Sequence, residues 1–278
     1  MPSHARLWLW ICGIELILIV FCAHELSLLG DGRLHAYFLD VGQGDSALLV
    51  SPSGKQIIID GGPDNSVVGQ MAKHIPFFDR RIELLVLTHP DLDHIAAFPD
   101  ILRRYDIDRV LFTGTVKKAS RYEEILALLK EKHIPVFLAD PAKDIDMGDG
   151  LILDILWPNA GLLGKELKKT NDSAIVLRAL YKEHSIFFSA DIERPAEQNI
   201  LASGRQMDSD ILKVPHHGSR TSSSTGLLLA VSPDLGVISA GKDNSYRHPH
   251  PDVVERYRHF AIPLRVTKDE GTVELIFK

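Results

Sequence analysis

The segment Leu87-Thr88-His89-Pro90-Asp91-Leu92-Asp93-His94 places two histidines and two aspartates within six consecutive positions, directly behind the apolar run Ile82–Leu87. A short apolar run bounded by turn-forming residues reads as a strand buried on both faces. A chain carrying this segment must therefore end a buried strand at a polar cleft. A capped helix start would use one carboxylate, as N-cap, and neither histidine. Imidazole and carboxylate at this density are the donors that divalent cations take from proteins. Alternation along the segment serves two cation positions, His89 with Asp91 and Asp93 with His94. A second cluster, Lys213-Val214-Pro215-His216-His217-Gly218-Ser219, again follows an apolar run and offers at least one more imidazole.

The rest of the chain alternates short strands with helices. Strands are expected at Leu34–Val41, Ala47–Val50, Gln56–Ile59, Ile82–Leu87, Arg109–Phe112, Leu151–Leu156, Ala174–Tyr181, Ser185–Ser189, Ile211–Val214, Gly236–Ser239, Leu264–Val266 and Thr272–Phe277. Helices fit at Val67–Ile75, Ile95–Arg104 with a kink at Pro99, Arg121–Lys132, Ala196–Ser203, Thr225–Val231 and Asp252–His259, the last with Pro251 in its first turn. Ala160–Thr170 reads as an exposed loop.

The first thirty residues differ in composition. Leu7–Ala23 is apolar except for Gly13 and Glu15, a run of about 17 residues at the short end of what spans a bilayer. Arg6 precedes it and Glu25 and Asp31 follow, which favours a cytoplasmic N-terminus and an exported remainder. The expectation is a single-pass anchor in the cytoplasmic membrane with the remainder extracytoplasmic; the alternatives are a signal segment and a secreted protein, or a segment left from a larger membrane protein. Cys12 and Cys22 both lie in this segment, so nothing downstream can form a disulfide or supply a thiolate ligand. A net charge of −6 excludes a uniformly basic nucleic-acid coat but permits a local basic groove. Lys117, Lys118, Arg121, Lys165, Lys168 and Lys169 fall in expected loops or helix ends and could follow a phosphate backbone.

Taken in order, Phe38-Leu39-Asp40-Val41-Gly42-Gln43-Gly44-Asp45-Ser46, Ile59-Asp60-Gly61-Gly62, His89–His94, Asn171-Asp172-Ser173, Ser189-Ala190-Asp191-Ile192-Glu193, His216-His217 and Asn244-Ser245-Tyr246-Arg247-His248-Pro249 resemble the metallo-β-lactamase-fold hydrolases, and within them the C-terminal domain of ComEC-type DNA-uptake (competence) proteins. The resemblance implies an α/β (α+β) fold, a four-layer αββα sandwich over residues 32–278, behind a hydrophobic segment and linker at 1–31. It implies that His89, Asp91, Asp93, His94, Asp191 and the His216-His217 turn supply metal ligands, with His216 favoured of the pair. Asp60, Asn171 and Ser173 would support them from behind. Ser219, Asn244, Arg247 and His248 would meet substrate, and Asp93, Asp191 and His248 would take part in catalysis. His250 reads as structural or solvated.

Departures from the commoner pattern qualify this. Asp91 stands where many members have a second histidine, and Asn171-Asp172-Ser173 where they have a third. More oxygen and less nitrogen shifts the site toward harder cations, so the cofactor expected is one or two divalent ions, manganese or zinc, with the His89 side the weaker position. Ala96-Ala97, Ala190 and Arg247 replace glycines of the competence subgroup and add bulk near the cleft. The function implied is phosphodiester hydrolysis, a nuclease acting on DNA outside the membrane. The alternatives are another ester hydrolase on the same fold and a non-catalytic uptake accessory. One apolar segment cannot form a channel, so a stand-alone anchored hydrolase, or one paired with a separate channel protein, is expected; oligomeric state is left open.

Overall fold

A computed structural model describes residues 2–158 and 162–278, residues 2–5 by their backbone alone. Two seven-stranded mixed sheets dominate it. The first runs, in spatial order, Val273–Phe277, Leu34–Phe38, Ala47–Val50, Gln56–Ile59, Leu84–Leu87, Val110–Phe112 and Val136–Leu138. The second runs Leu264–Val266, Leu235–Ile238, Ile211–Lys213, His184–Phe188, Val176–Tyr181, Leu151–Trp157 and Ile145–Asp146. Each sheet joins an antiparallel part to a parallel one, and the change falls at Gln56–Ile59 in the first and at His184–Phe188 in the second.

Period-two alternation explains the layering. Ile57, Ile59, Leu84 and Val86 turn inward to meet Ile155, Leu177, Ile186 and Phe188 of the other sheet. Ile58, Leu85 and Leu87 turn outward, onto Val67, Ile95, Phe98, Ile101 and Tyr122 of the covering helices. Leu212 and Phe187 do the same on the far side against Ile200, Leu227, Val253 and Tyr257. With both faces covered, every residue of Leu84–Leu87 is buried, which is why the sequence there is a continuous apolar run. The αββα sandwich expected from the sequence is thus present.

Several boundaries differ. Ile82–Leu87 is not one strand: Arg81–Ile82 pairs with Asp106–Ile107 in a small separate sheet, and only Leu84–Leu87 enters the large one. The expected helix Ile95–Arg104 is two, Leu92–Ile95 and Phe98–Arg104, broken at Ala96–Ala97 rather than kinked at Pro99. Proline lacks an N–H and is tolerated in a first turn, so Pro99 sits without a kink in the first turn of the second helix. Of the expected loop Ala160–Thr170, Ala160 and Gly161 lie outside the described residues; Leu163–Glu166 is exposed. Residues Pro2–Ser27 form one helix, of which Arg6–Ser27 is long and apolar enough to cross a membrane, and its apolar stretch is not buried within the protein. Glu25 ties its end to the sandwich by accepting a hydrogen bond from Phe77 N at 2.6 Å.

Candidate metal centre

The cleft lies where strand ends of both sheets meet. Strand Leu84–Leu87 delivers Thr88 and His89, and the helical turn Leu92–Ile95 follows. His94 is completely buried, and its Nδ1 lies 2.8 Å from Asp60 Oδ2. Asp60 also accepts from Thr88 N at 2.9 Å and Thr88 Oγ1 at 2.7 Å, so its carboxylate pins the whole turn. An imidazole held at Nδ1 by a carboxylate presents Nε2 to a cation.

Asp191 follows strand His184–Phe188 from the other sheet, and His217 follows Ile211–Lys213. His217 Nδ1 sits 3.0 Å from Ser239 O and 3.2 Å from Asp45 Oδ1, so this ring too is fixed from behind. Its Nε2 lies 3.2 Å from Asp93 Oδ2 and 3.4 Å from Asp191 Oδ2; His94 Nε2 lies 3.3 Å from the same Asp191 oxygen. Donor atoms of Asp93, His94, Asp191 and His217 fall within 4.8 Å of one another, and among the described residues no other group of three or more potential ligands does so.

This set fits a divalent cation. His94 Nε2 and Asp191 Oδ1 are buried without a hydrogen-bond partner, a costly arrangement for polar atoms unless something binds them. The mutual field is strong. Burial opposes charge on His94 and His217, yet Asp191, with Asp60 and Asp93 for His94 and Asp45 for His217, holds both well above the ordinary histidine range. Burial likewise opposes ionisation of Asp191, and the two histidines override it and hold the carboxyl well below its usual value. A cation with these four donors would take over the charge balance that protonated histidines otherwise supply.

His216, favoured in the sequence reading, is not in this group. Both residues of the pair adopt left-handed backbone, φ 50° and 54°, and the turn sends His217 inward while His216 stays at the rim, 3.7 Å from Asp191 Oδ2 and 3.5 Å from Glu193 Oε1. His89 is buried with its Nε2 unpartnered, 3.8 Å from Asp91 Oδ2. Burial first, then the nearby His94, pushes the His89 pKa down. Asp91 does not face the four-donor group; its Oδ1 accepts from Lys117 Nζ and from Thr170 Oγ1.

The expected substrate residues divide. His248 stands at the mouth, its ring 5.8 Å from His216 and 6.2 Å from His217, and its buried Nδ1 has no partner. Burial, then the His217 and His216 charges, lowers its pKa to about 4. Arg247 is exposed on the same loop. Asn244 is consumed by that loop: its amide donates to the carbonyls of Gly241 and His248, and its Oδ1 accepts from His248 N, so it shapes the mouth instead of offering a free group. Ser219 Oγ pairs with Thr221 Oγ1 at 3.0 Å, and Ser173 Oγ donates to Thr170 O. Asn171 opens a short 3-10 turn that ends at the buried Ser173. His250 is structural, its Nδ1 capping the following helix at Asp252 N. Of the basic residues, Lys117 pairs with Asp91, Lys118 with Glu166 and Arg121 with Glu124, which removes half of the expected free cations.

Two residues of the site carry no role in the sequence reading. Asp45 orients His217 and is itself ion-paired, 2.7 Å from the buried Lys213 Nζ. The turn that brings it there needs Gly44, because a Cβ at that position would meet Asp93 O at 2.3 Å. An acid behind two glycines, and a lysine inside an apolar run, were the available signals.

Comparison with known proteins agrees with this geometry. The family described as the metallo-beta-lactamase superfamily matches residues 39–242. The chain is 26% identical to ComE operon protein 3 of Bacillus subtilis over 86% of its own length and 32% of that protein's. It is 26% identical to competence protein ComA of Neisseria gonorrhoeae over 93% of its length and 34% of that protein's. The chain thus spans about a third of the length of these curated relatives. Among solved structures it is similar to the metallo-beta-lactamase fold protein YhfI from Bacillus subtilis, with a TM-score of 0.60 at 10% identity over 88% of this chain and 99% of the other. Fold, cleft and family match together make this chain a ComEC-like member of the metallo-beta-lactamase superfamily.

Proposed function

We propose that the chain is a metal-dependent phosphodiester hydrolase, a nuclease acting on DNA outside the cytoplasmic membrane in connection with DNA uptake. The observation that carries this reading is the convergence of Asp93, His94, Asp191 and His217, with buried polar atoms that lack partners of their own. A divalent cation there supplies Lewis acidity toward a phosphoryl oxygen and an activated water. The chain's own residues do the remaining work. Asp60 and the Ser239 carbonyl hold the two imidazoles in the ligating orientation, and Asp45, kept charged and in place by Lys213, stands behind His217 as an ion-pair partner. His248, half-buried beside His216, and the exposed Arg247 meet phosphate oxygens at the mouth. The competence names of the relatives support DNA as the substrate, and the helix Pro2–Ser27 supports a membrane tether with the sandwich outside.

The test is cleavage of labelled single- and double-stranded DNA by the full chain in detergent, stripped of metal and titrated with manganese or zinc. Metal-restored cleavage is expected, with a loss on the order of a thousandfold in Asp191→Ala, equivalent to about 4 kcal/mol of transition-state stabilisation. Cleavage that survives that substitution would sink the site. Metal binding without cleavage of either DNA would point to a different ester, and a folded chain that binds no metal would point to an uptake accessory.

A further inference from the structure

The carboxylates of the cleft are not equally free to bind a cation. Asp93 and Asp191 face histidines and each other's oxygens, and Asp191 Oδ1 is buried without a partner. Asp91 is already engaged, its Oδ1 accepting from the ammonium of Lys117 and from Thr170 Oγ1 at 2.6 Å. We propose that this chain holds a single divalent cation, at Asp93, His94, Asp191 and His217, and that the Lys117 ammonium stands in for a second by neutralising Asp91. The inference rests on the metal-dependent reading above and deepens it.

The lysine is built into place. Val116 bridges to Glu166 and donates to Lys165 O at 2.9 Å, Ala119 N donates to Lys117 O at 3.0 Å, and the neighbouring Lys118 pairs with Glu166 at 2.9 Å. The Lys117–Asp91 pair is itself about two-thirds shielded, with side-chain exposures of 34% and 28%. Donor supply on that side is thin. With Asp91 Oδ1 engaged, His89 Nε2, Asp91 Oδ2 and a share of Asp191 are what remain of the expected ligands. In the 170–173 turn, Thr170 Oγ1 donates to Asp91 and Ser173 Oγ to Thr170 O, so both hydroxyls are already engaged within the protein. A second dication would have to expel the ammonium from Asp91 or lie against it, and like charges at that range repel strongly in a partly desolvated cleft. One ammonium supplies fixed positive charge with no demand for a third nitrogen ligand.

The experiment counts ions instead of turnover. The metal-stripped full chain is dialysed against manganese, bound ions are measured per chain, and the manganese electron paramagnetic resonance spectrum is recorded. The wild type is expected to bind one tight ion with an uncoupled spectrum, and Lys117→Arg to do the same. Lys117→Ala is expected to gain a second ion and a spin-coupled spectrum. Two tight, coupled ions in the wild type would overturn this proposal and leave the metal-hydrolase reading standing. A single ion in Lys117→Ala would remove the role given to the lysine. No ion in a folded wild type would overturn both readings, and that result differs from the other two.

Discussion

The two sides of the cleft are built differently although one short segment feeds both. On the Asp191 side the backbone leaves its ordinary regions: Asp60, Ala190, His216, His217 and Arg247 all have φ between 46° and 62°, five of the ten left-handed non-glycine residues described. On the His89 side Asp91 is extended, with φ −87° and ψ 146°, and His89 is not among those ten. Left-handed backbone persists in non-glycine residues only where the surroundings over-determine it. Here the surroundings are Asp60 with its three hydrogen bonds and the Lys213–Asp45–His217 chain. The difference teaches that ligand density in sequence does not make a cation site. His89 too is held from behind, its Nδ1 3.0 Å from Thr88 Oγ1, and its Nε2 is buried without a partner; what its side lacks is a free carboxylate, because Asp91 is already engaged by Lys117 and Thr170.

The sharpest way to break this comparison is to remove the network's anchor. Lys213→Met strands the Asp45 carboxylate in a nearly dry position and is expected to cost about 3–5 kcal/mol of unfolding free energy, the range for a buried ion pair that loses one member. Denaturant unfolding of the metal-stripped protein measures it, and pairing it with Asp45→Asn should restore part of the loss. A cost below about 1 kcal/mol, the level of an exposed pair, would mean that the ion pair does not hold the Asp191 side together.

A smaller effect separates the two sides more directly. Asp60→Asn leaves His94 without its carboxylate partner, and manganese affinity should fall by about 10–100-fold, as for other groups that orient a ligand. Thr170→Val, on the Lys117 side, should leave that affinity unchanged. Titration calorimetry decides: equal losses in both variants would mean that the cleft is one coupled site.

Much of this architecture was legible because it rests on local pattern. The alternation at Ile57–Ile59 and the unbroken run Leu84–Leu87 report faces that are covered on both sides. What escaped depended on distant partners. Strand Val136–Leu138 went unread although Val, Phe and Leu are apolar; it is a three-residue sheet edge with all of its residues exposed. Arg81–Ile82 separates from its neighbours because it pairs with Asp106–Ile107, far along the chain. In the site, the pair His216-His217 is ambiguous from sequence, since which ring turns inward is set by Asp45 and Ser239. Lys117 looked like one of six surface cations, and only the fold brings it to Asp91.

The smallest effect concerns Ala190, which the resemblance to competence proteins marks as a departure from glycine. The structure gives that departure a backbone meaning: at φ 46° the residue is left-handed and 4% exposed, directly before Asp191. A Cβ in this region costs about 1–2 kcal/mol, while glycine's freedom in the unfolded chain takes back about 0.4–1 kcal/mol. Ala190→Gly should therefore stabilise the protein by roughly 0.8 kcal/mol, the difference of the two midpoints, within bounds of about 0 to 1.6 kcal/mol. The gain is read as a small rise in the denaturation midpoint with the denaturant slope unchanged. Metal stoichiometry should not move, because no donor atom changes. Destabilisation instead would mean that the packing of the methyl group, and not the turn, holds Asp191 in position, and the contrast between a strained and a relaxed side of the cleft would lose one of its five supports.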